Sequence, residues 1–140
     1  MQDPRTIGLP DVELTGAQGA KVNPSNFAGH DLVVLFCPED RKAAAQEMAE
    51  YNMLTDALAY NDAYMIAVCD PEAGLPASRI SIASDAKRAW DAFGKCLDDH
   101  QGGPRGEGTV FLFGRGGCLR QVWQGVGHAS EVARALNERM

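Results

Sequence analysis

Two short apolar runs, Asp31 to Cys37 (DLVVLFC) and Ala63 to Cys69 (AYMIAVC), flank a long stretch, Glu39 to Asp62, without Gly or Pro. This constrains the chain more than any other feature. A continuous apolar run bounded by a breaker is the pattern of a strand covered on both faces. Pro38 ends the first run, because proline has no N–H for a sheet ladder. Asp70-Pro71-Glu72-Ala73-Gly74 ends the second. Between them, Asp40 to about Tyr60 has helical periodicity. Ala44, Met48, Tyr51 and Leu58 fall near one face, with Lys42, Gln46 and Glu50 opposite. Asp40 is placed to cap the helix. A right-handed crossover then sets the two strands side by side and parallel.

The remaining segments add to this unit. Asp11 to Asn23 turns about Gly16-Ala17-Gln18-Gly19 and is expected to be a β-hairpin. Arg79 to Ala83 is a short strand candidate. Ser84 is placed to cap a helix from Asp85 to Phe93 that stops at Gly94. His100 to Gly108 is glycine-rich and reads as a loop. Thr109 to Phe113 and Cys118 to Trp123 are strands joined by Gly114-Arg115-Gly116-Gly117, a hairpin signal. A final helix is expected from Ala129 to Arg139, with Val132, Ala135 and Leu136 buried. The expectation is an α/β fold: a central mixed sheet with helices on both faces and an N-terminal β-hairpin. With 140 residues and no low-complexity linker, one domain over 1–140 is expected.

Charge and composition exclude some functions. The net charge of -6 argues against nucleic acid or an anionic membrane as partner. No apolar run approaches the length of a membrane span. The first residues, MQDPRTIGLPDV, lack the apolar core of a secretory signal. A cytoplasmic location is expected. The four cysteines, Cys37, Cys69, Cys96 and Cys118, form no C-x-x-C pair and no zinc knuckle. Each reads first as a small buried hydrophobe, except Cys96, which reads as an accessible unpaired thiol beside the loop. Asp98-Asp99-His100 reads as a solvated loop, and His30 and His128 have no metal-ligand spacing. No metal and no cofactor is expected. Trp90 and Trp123 read as core or dimer surface.

Four ordered segments resemble a known family. Gly8-Leu9-Pro10-Asp11-Val12-Glu13-Leu14 resembles its opening G-x-x-A-P-D-F-x-L. Phe27-Ala28-Gly29-His30-Asp31-Leu32-Val33-Val34-Leu35-Phe36 resembles F-x-G-K-x-V-V-L-x-F. Ser84-Asp85 with Ala92-Phe93-Gly94 resembles S-D-…-A-Y-G, and Phe111 to Gly117 resembles F-L-I-D-x-x-G. The chain thus resembles a peroxiredoxin of the alkyl hydroperoxide reductase and thiol-specific antioxidant type, which implies a thioredoxin-like fold.

The resemblance also implies a catalytic motif, Pro-x-x-x-Thr-x-x-Cys, and here the chain departs from it. Pro38 matches the proline, Lys42 stands at the threonine, and Ala45 stands at the peroxidatic cysteine. The family's active-site arginine would fall near Gly108; Arg105 is close in sequence but not at that place. Peroxide reduction of this kind needs a thiolate near a helix N-terminus, which becomes a sulfenic acid. Alanine offers no nucleophile. The implied function is a peroxiredoxin-like protein with a vestigial pocket at Pro38, Lys42 and Ala45, degenerate at the peroxidatic site where Ala45 replaces the cysteine, acting by binding or association, with a homodimer, a thiol reductant or a protein as partner. A third use of the vacated pocket is a small anionic ligand drawn by Lys42. The rival is a thiol-dependent oxidoreductase using Cys37 as its catalytic thiol. Cys37 ends the central strand, where open α/β sheets place their ligand sites, and has Arg41 and Lys42 nearby in sequence.

Overall fold

The computed structural model describes residues 12–16, 21–27, 29–37, 40–68, 80–83, 88–89, 91, 109–116, 119–123 and 127–138. The N-terminal hairpin is β1 (Leu14–Thr15) against β2 (Lys21–Val22), antiparallel. A single turn of 3-10 helix, Pro24–Phe27, follows. The sheet contains β3 (Leu32–Phe36), β4 (Tyr64–Val68), β5 (Ile80–Ala83), β6 (Val110–Phe113) and β7 (Leu119–Trp123). Their spatial order is β5-β4-β3-β6-β7.

Strand β3 is central because every residue in it is apolar. Its five side chains are essentially excluded from solvent. Alternation sends Val33 and Leu35 to one face, and Leu32, Val34 and Phe36 to the other. β3 pairs with β4 in parallel, Val34 opposite Ile66, as the crossover rule requires. On its other side β3 pairs with β6 antiparallel, Val34 opposite Phe111. β4 carries β5 in parallel and β6 carries β7 antiparallel, so the sheet is mixed.

The helical stretch between β3 and β4 is broken in two. α1 spans Arg41–Asn52 and α2 spans Thr55–Tyr60. The expected single helix from Asp40 to Tyr60 fails at Met53 and Leu54, although neither Gly nor Pro is there. The Met53 N–H donates back to the Glu50 carbonyl at 3.2 Å, and the Leu54 N–H to Tyr51 at 2.9 Å. Both are the three-residue bonds of a tightened last turn. The Thr55 hydroxyl donates to the Asn52 carbonyl at 2.8 Å, the local competition that threonine offers a helix. The break lets Leu54 and Leu58 both reach the core. A last helix, α3, spans Ala129–Asn137.

One core lies between the Val33 face of the sheet and α1, α2 and α3, which contribute Met48, Tyr51, Leu54, Leu58, Ala129, Val132 and Leu136. The opposite face is covered by Leu14 of the hairpin and by Ala89. Arg88, Ala89 and Asp91 are helical, which matches the expected Asp85–Phe93 helix at the described positions. Its Ser84 cap and Gly94 stop, the breaker at 70–74 and the loop at 100–108 lie outside the described residues. No helix among the described residues is long and apolar enough to cross a membrane.

Candidate functional site

The carboxyl end of β3 is held from both sides. The Phe36 N–H donates to the Thr109 carbonyl at 2.9 Å, and the Cys37 N–H donates to the Val68 carbonyl at 3.0 Å. Cys37 therefore sits at a fixed point between β4 and the residue preceding β6. Its side chain is half-buried and packs against the core formed with α1 and α3.

Helix α1 starts beside this point. Asp40 is its N-cap: the backbone is extended, and the carboxylate accepts from the Ala43 N–H at 3.0 Å. Of the residues placed by sequence in the pocket, Lys42 and Ala45 are exposed on α1. They are three residues apart, so their side chains are neighbours along one helical row. Ala44, between them, is buried. Pro38, Gly108 and Arg105 lie outside the described residues, as do Cys69, Cys96, Cys118, His100 and Trp90. Trp123, expected in the core or on a dimer surface, is buried in the core.

The inward side of α1 carries a feature that periodicity alone had assigned to apolar residues. Glu47 is buried. It lies in the row Ala44, Glu47, Met48, Tyr51, with spacing i, i+3, i+4, i+7, so its position on the stripe was the available signal. Both carboxylate oxygens accept from the Gly127 N–H, at 3.3 Å each. Gly127 has φ +87 and immediately precedes the start of α3. Burial is the main cause that raises the Glu47 pKa above its ordinary value; the Gly127 bond opposes it, Glu50 adds to it and His128 opposes it.

One turn on, Tyr51 is wholly buried, and its hydroxyl has no hydrogen-bond partner among the described residues. Burial pushes its phenol far above the usual range, and the charges of Glu47, Glu50, Cys37 and Glu131 push the same way. His128, at the α3 N-cap position, pairs through Nδ1 with Glu131 Oε1 at 2.7 Å. His30 lies at the other end of the sheet's strands, before β3, with Nδ1 3.2 Å from Asp62 Oδ2 and its ring edge-on to Tyr64. The two histidines therefore belong to different ends of the molecule. Among the described residues no cluster of His, Cys, Asp and Glu is arranged to hold a metal ion.

No protein-family model matches the chain. No curated protein matches it either. Solved structures do. Peroxiredoxin Q of Xanthomonas campestris superposes with a TM-score of 0.74 at 23% identity, covering 94% of this chain and 96% of that one. The mitochondrial 2-Cys peroxiredoxin of Plasmodium falciparum gives 0.70 at 16% identity, covering 94% and 91%. The exposed lipoprotein thioredoxin of Streptococcus pneumoniae gives 0.63 at 12% identity, covering 92% and 99%. At these identities the likeness concerns the path of the backbone. In that path, with its five-stranded mixed sheet, flanking helices and N-terminal hairpin, the chain has the thioredoxin-like fold.

Proposed function

We propose that this chain is a peroxiredoxin-like protein that no longer carries out thiol peroxidation and acts by binding or association. The observation that carries the proposal is Ala45. It presents a methyl group to solvent on α1, at the place where the resemblance to the peroxiredoxin motif calls for an ionised sulfur. A methyl cannot attack a peroxide oxygen, and Lys42 cannot replace a threonine hydroxyl as a positioned hydrogen-bond partner. Cys37 does not take over that role. It packs against the core, next to Tyr51 and on the side of α1 that carries Glu47. The mode of action is association with a second copy or with a thiol-bearing protein, in the cytoplasm.

Peroxide consumption in the presence of a dithiol reductant tests the proposal. Wild type and Cys37→Ser should both run at the buffer rate. A rate above buffer that disappears in Cys37→Ser would instead establish Cys37 as the catalytic thiol. Sedimentation velocity over a range of concentrations tests the association: dimer formation supports it. A monomer at all concentrations, with no thiol protein retained, removes it.

A further inference from the structure

Helices α1 and α2 share one outward row. Lys42, Gln46, Ala49, Met53, Asp56 and Tyr60 recur at steps of four and three residues, and all six are exposed. The row continues across the break because Met53 and Leu54 keep a near-helical backbone, with φ/ψ of -74/-8 and -85/1. Among the described residues, Met53 and Tyr60 are the large hydrophobic side chains that stand open to solvent, at 81% and 84%. Their spacing of seven residues is two helical turns, about 10 Å along the axis. A single exposed apolar side chain is ordinary on a surface. Two on one row, two turns apart, match the anchor spacing by which a second helix lies along a first. The flank of the row is acidic: Glu50 and Asp56 are exposed, and no Lys or Arg occurs between Ala43 and Ser78. Lys42, in the first turn of α1, is about 16 Å along the axis from Met53. Pairing this row with itself over Met53 and Tyr60 would bring Asp56 against its own copy, and like charges repel.

We propose that the Met53–Tyr60 row is a docking surface for a basic amphipathic helical segment of another protein. Two apolar side chains of that segment, two turns apart, pack on the Met53 thioether and the Tyr60 ring, and its flanking Lys or Arg residues meet Glu50 and Asp56. Methionine is unbranched and polarisable, so it accepts apolar groups of varied shape. The tyrosine ring also offers its face to a cation. Ala49, one turn before Met53, is short and lets a second helix lie close. The two anchors supply the holding, and the acidic flank supplies orientation and encounter rate. The net charge of -6 draws a basic segment in the same sense. The inference rests on the reading that the chain acts by association, and it adds the partner's charge and the face that receives it.

Fluorescence anisotropy with a labelled helical peptide of leucine and lysine, about 14 residues long, tests the surface; the same peptide with glutamate for lysine is the comparison. Wild type should bind the lysine peptide saturably and the glutamate peptide not at all. Met53→Ser with Tyr60→Ser should weaken binding about tenfold or more. Glu50→Gln with Asp56→Asn should weaken it and flatten its dependence on salt. Glu13→Gln removes an exposed charge on the hairpin, which covers the other face of the sheet, and should leave binding unchanged. Absence of saturable binding overturns the proposal, and so does a Met53/Tyr60 variant that binds like wild type. Equal weakening by Glu13→Gln also overturns it, because attraction would then come from net charge alone. Sedimentation velocity separates a second copy: a wild-type dimer lost in the Met53/Tyr60 variant assigns the row to self-association and overturns a basic partner. Failure of peptide binding leaves the peroxide and self-association results standing, whereas peroxide turnover removes the underlying reading without changing the anisotropy.

Discussion

The amide of Cys37 is bonded to the carbonyl of Val68 at 3.0 Å, so the last ladder bond of the β3–β4 pair fixes the cysteine just beyond the strand. The same register that sets Phe36 opposite Val68 thus directs the Cys37 side chain toward α1 and α3. Native thiol labelling should show the consequence. Cys37 is expected to react with a bulky maleimide many-fold more slowly than in denaturant. Equal rates in the two states would mean that the packing does not shield it.

Leu35 lies with Val33 on the β3 face that packs with the helices, and it is completely buried. Truncation to alanine removes buried methyl groups and leaves a cavity. Leu35→Ala should lower unfolding stability by about 2–5 kcal/mol. Denaturant titration measures the loss, and a change below about 1 kcal/mol would contradict the core assignment.

Asp40 closes the first turn of α1 through Ala43. Asp40→Ala should cost about 1 kcal/mol, and Asp40→Asn or Asp40→Ser should recover most of it. Thermal unfolding of the three variants distinguishes capping from a general effect of charge.

Stability should depend on pH through Glu47. Its native pKa is raised from the ordinary 4.5, mainly by burial. The native state therefore binds its proton more tightly than the unfolded chain does. The stability linked to that proton is complete below the ordinary value and is lost as pH rises through the raised native one. Glu47→Gln should flatten the curve in that window and leave neutral-pH stability equal or higher. A stability that increases with pH there, and does so only when Glu47 is present, would reverse the sign.

Ala45→Cys should not by itself produce fast peroxide consumption. A thiol at that position would sit beside Lys42 without the threonine hydroxyl of the motif. Ala45→Cys with Lys42→Thr should be faster than Ala45→Cys alone, as measured by stopped-flow with hydrogen peroxide. Full peroxidase rates from the single change would show that Lys42 is compatible with the chemistry.

Much of this architecture was legible in the sequence because hydrophobic runs and breakers are local signals. Val33 to Phe36 and Met65 to Val68 are uniformly apolar, and such runs have few alternatives to a doubly covered strand. The N-terminal hairpin and the Thr109–Trp123 pair followed from glycine-bearing turns. The break at Met53 was hidden, since it arises from the tertiary demand that Leu54 and Leu58 both be buried, with Thr55 bonding locally to Asn52. The Pro24–Phe27 turn was missed for a similar reason: it rests on the Asn23 side chain accepting from the Ser25 N–H at 3.0 Å, a short-range polar bond without periodicity. Glu47 was hidden by its charge. A glutamate on an apolar stripe is usually at the edge of it, and the bond from Gly127, at the far end of the chain, offsets part of the cost of its burial. Lys42 and Ala45 were placed on α1 by alignment to a motif; their exposure comes from the helix face they occupy.

Stopped-flow consumption of hydrogen peroxide by the wild-type chain, with a dithiol as electron donor, bears most directly on the loss of peroxidase chemistry. The expected trace is indistinguishable from buffer and dithiol alone. Rapid, protein-dependent turnover of peroxide would contradict it.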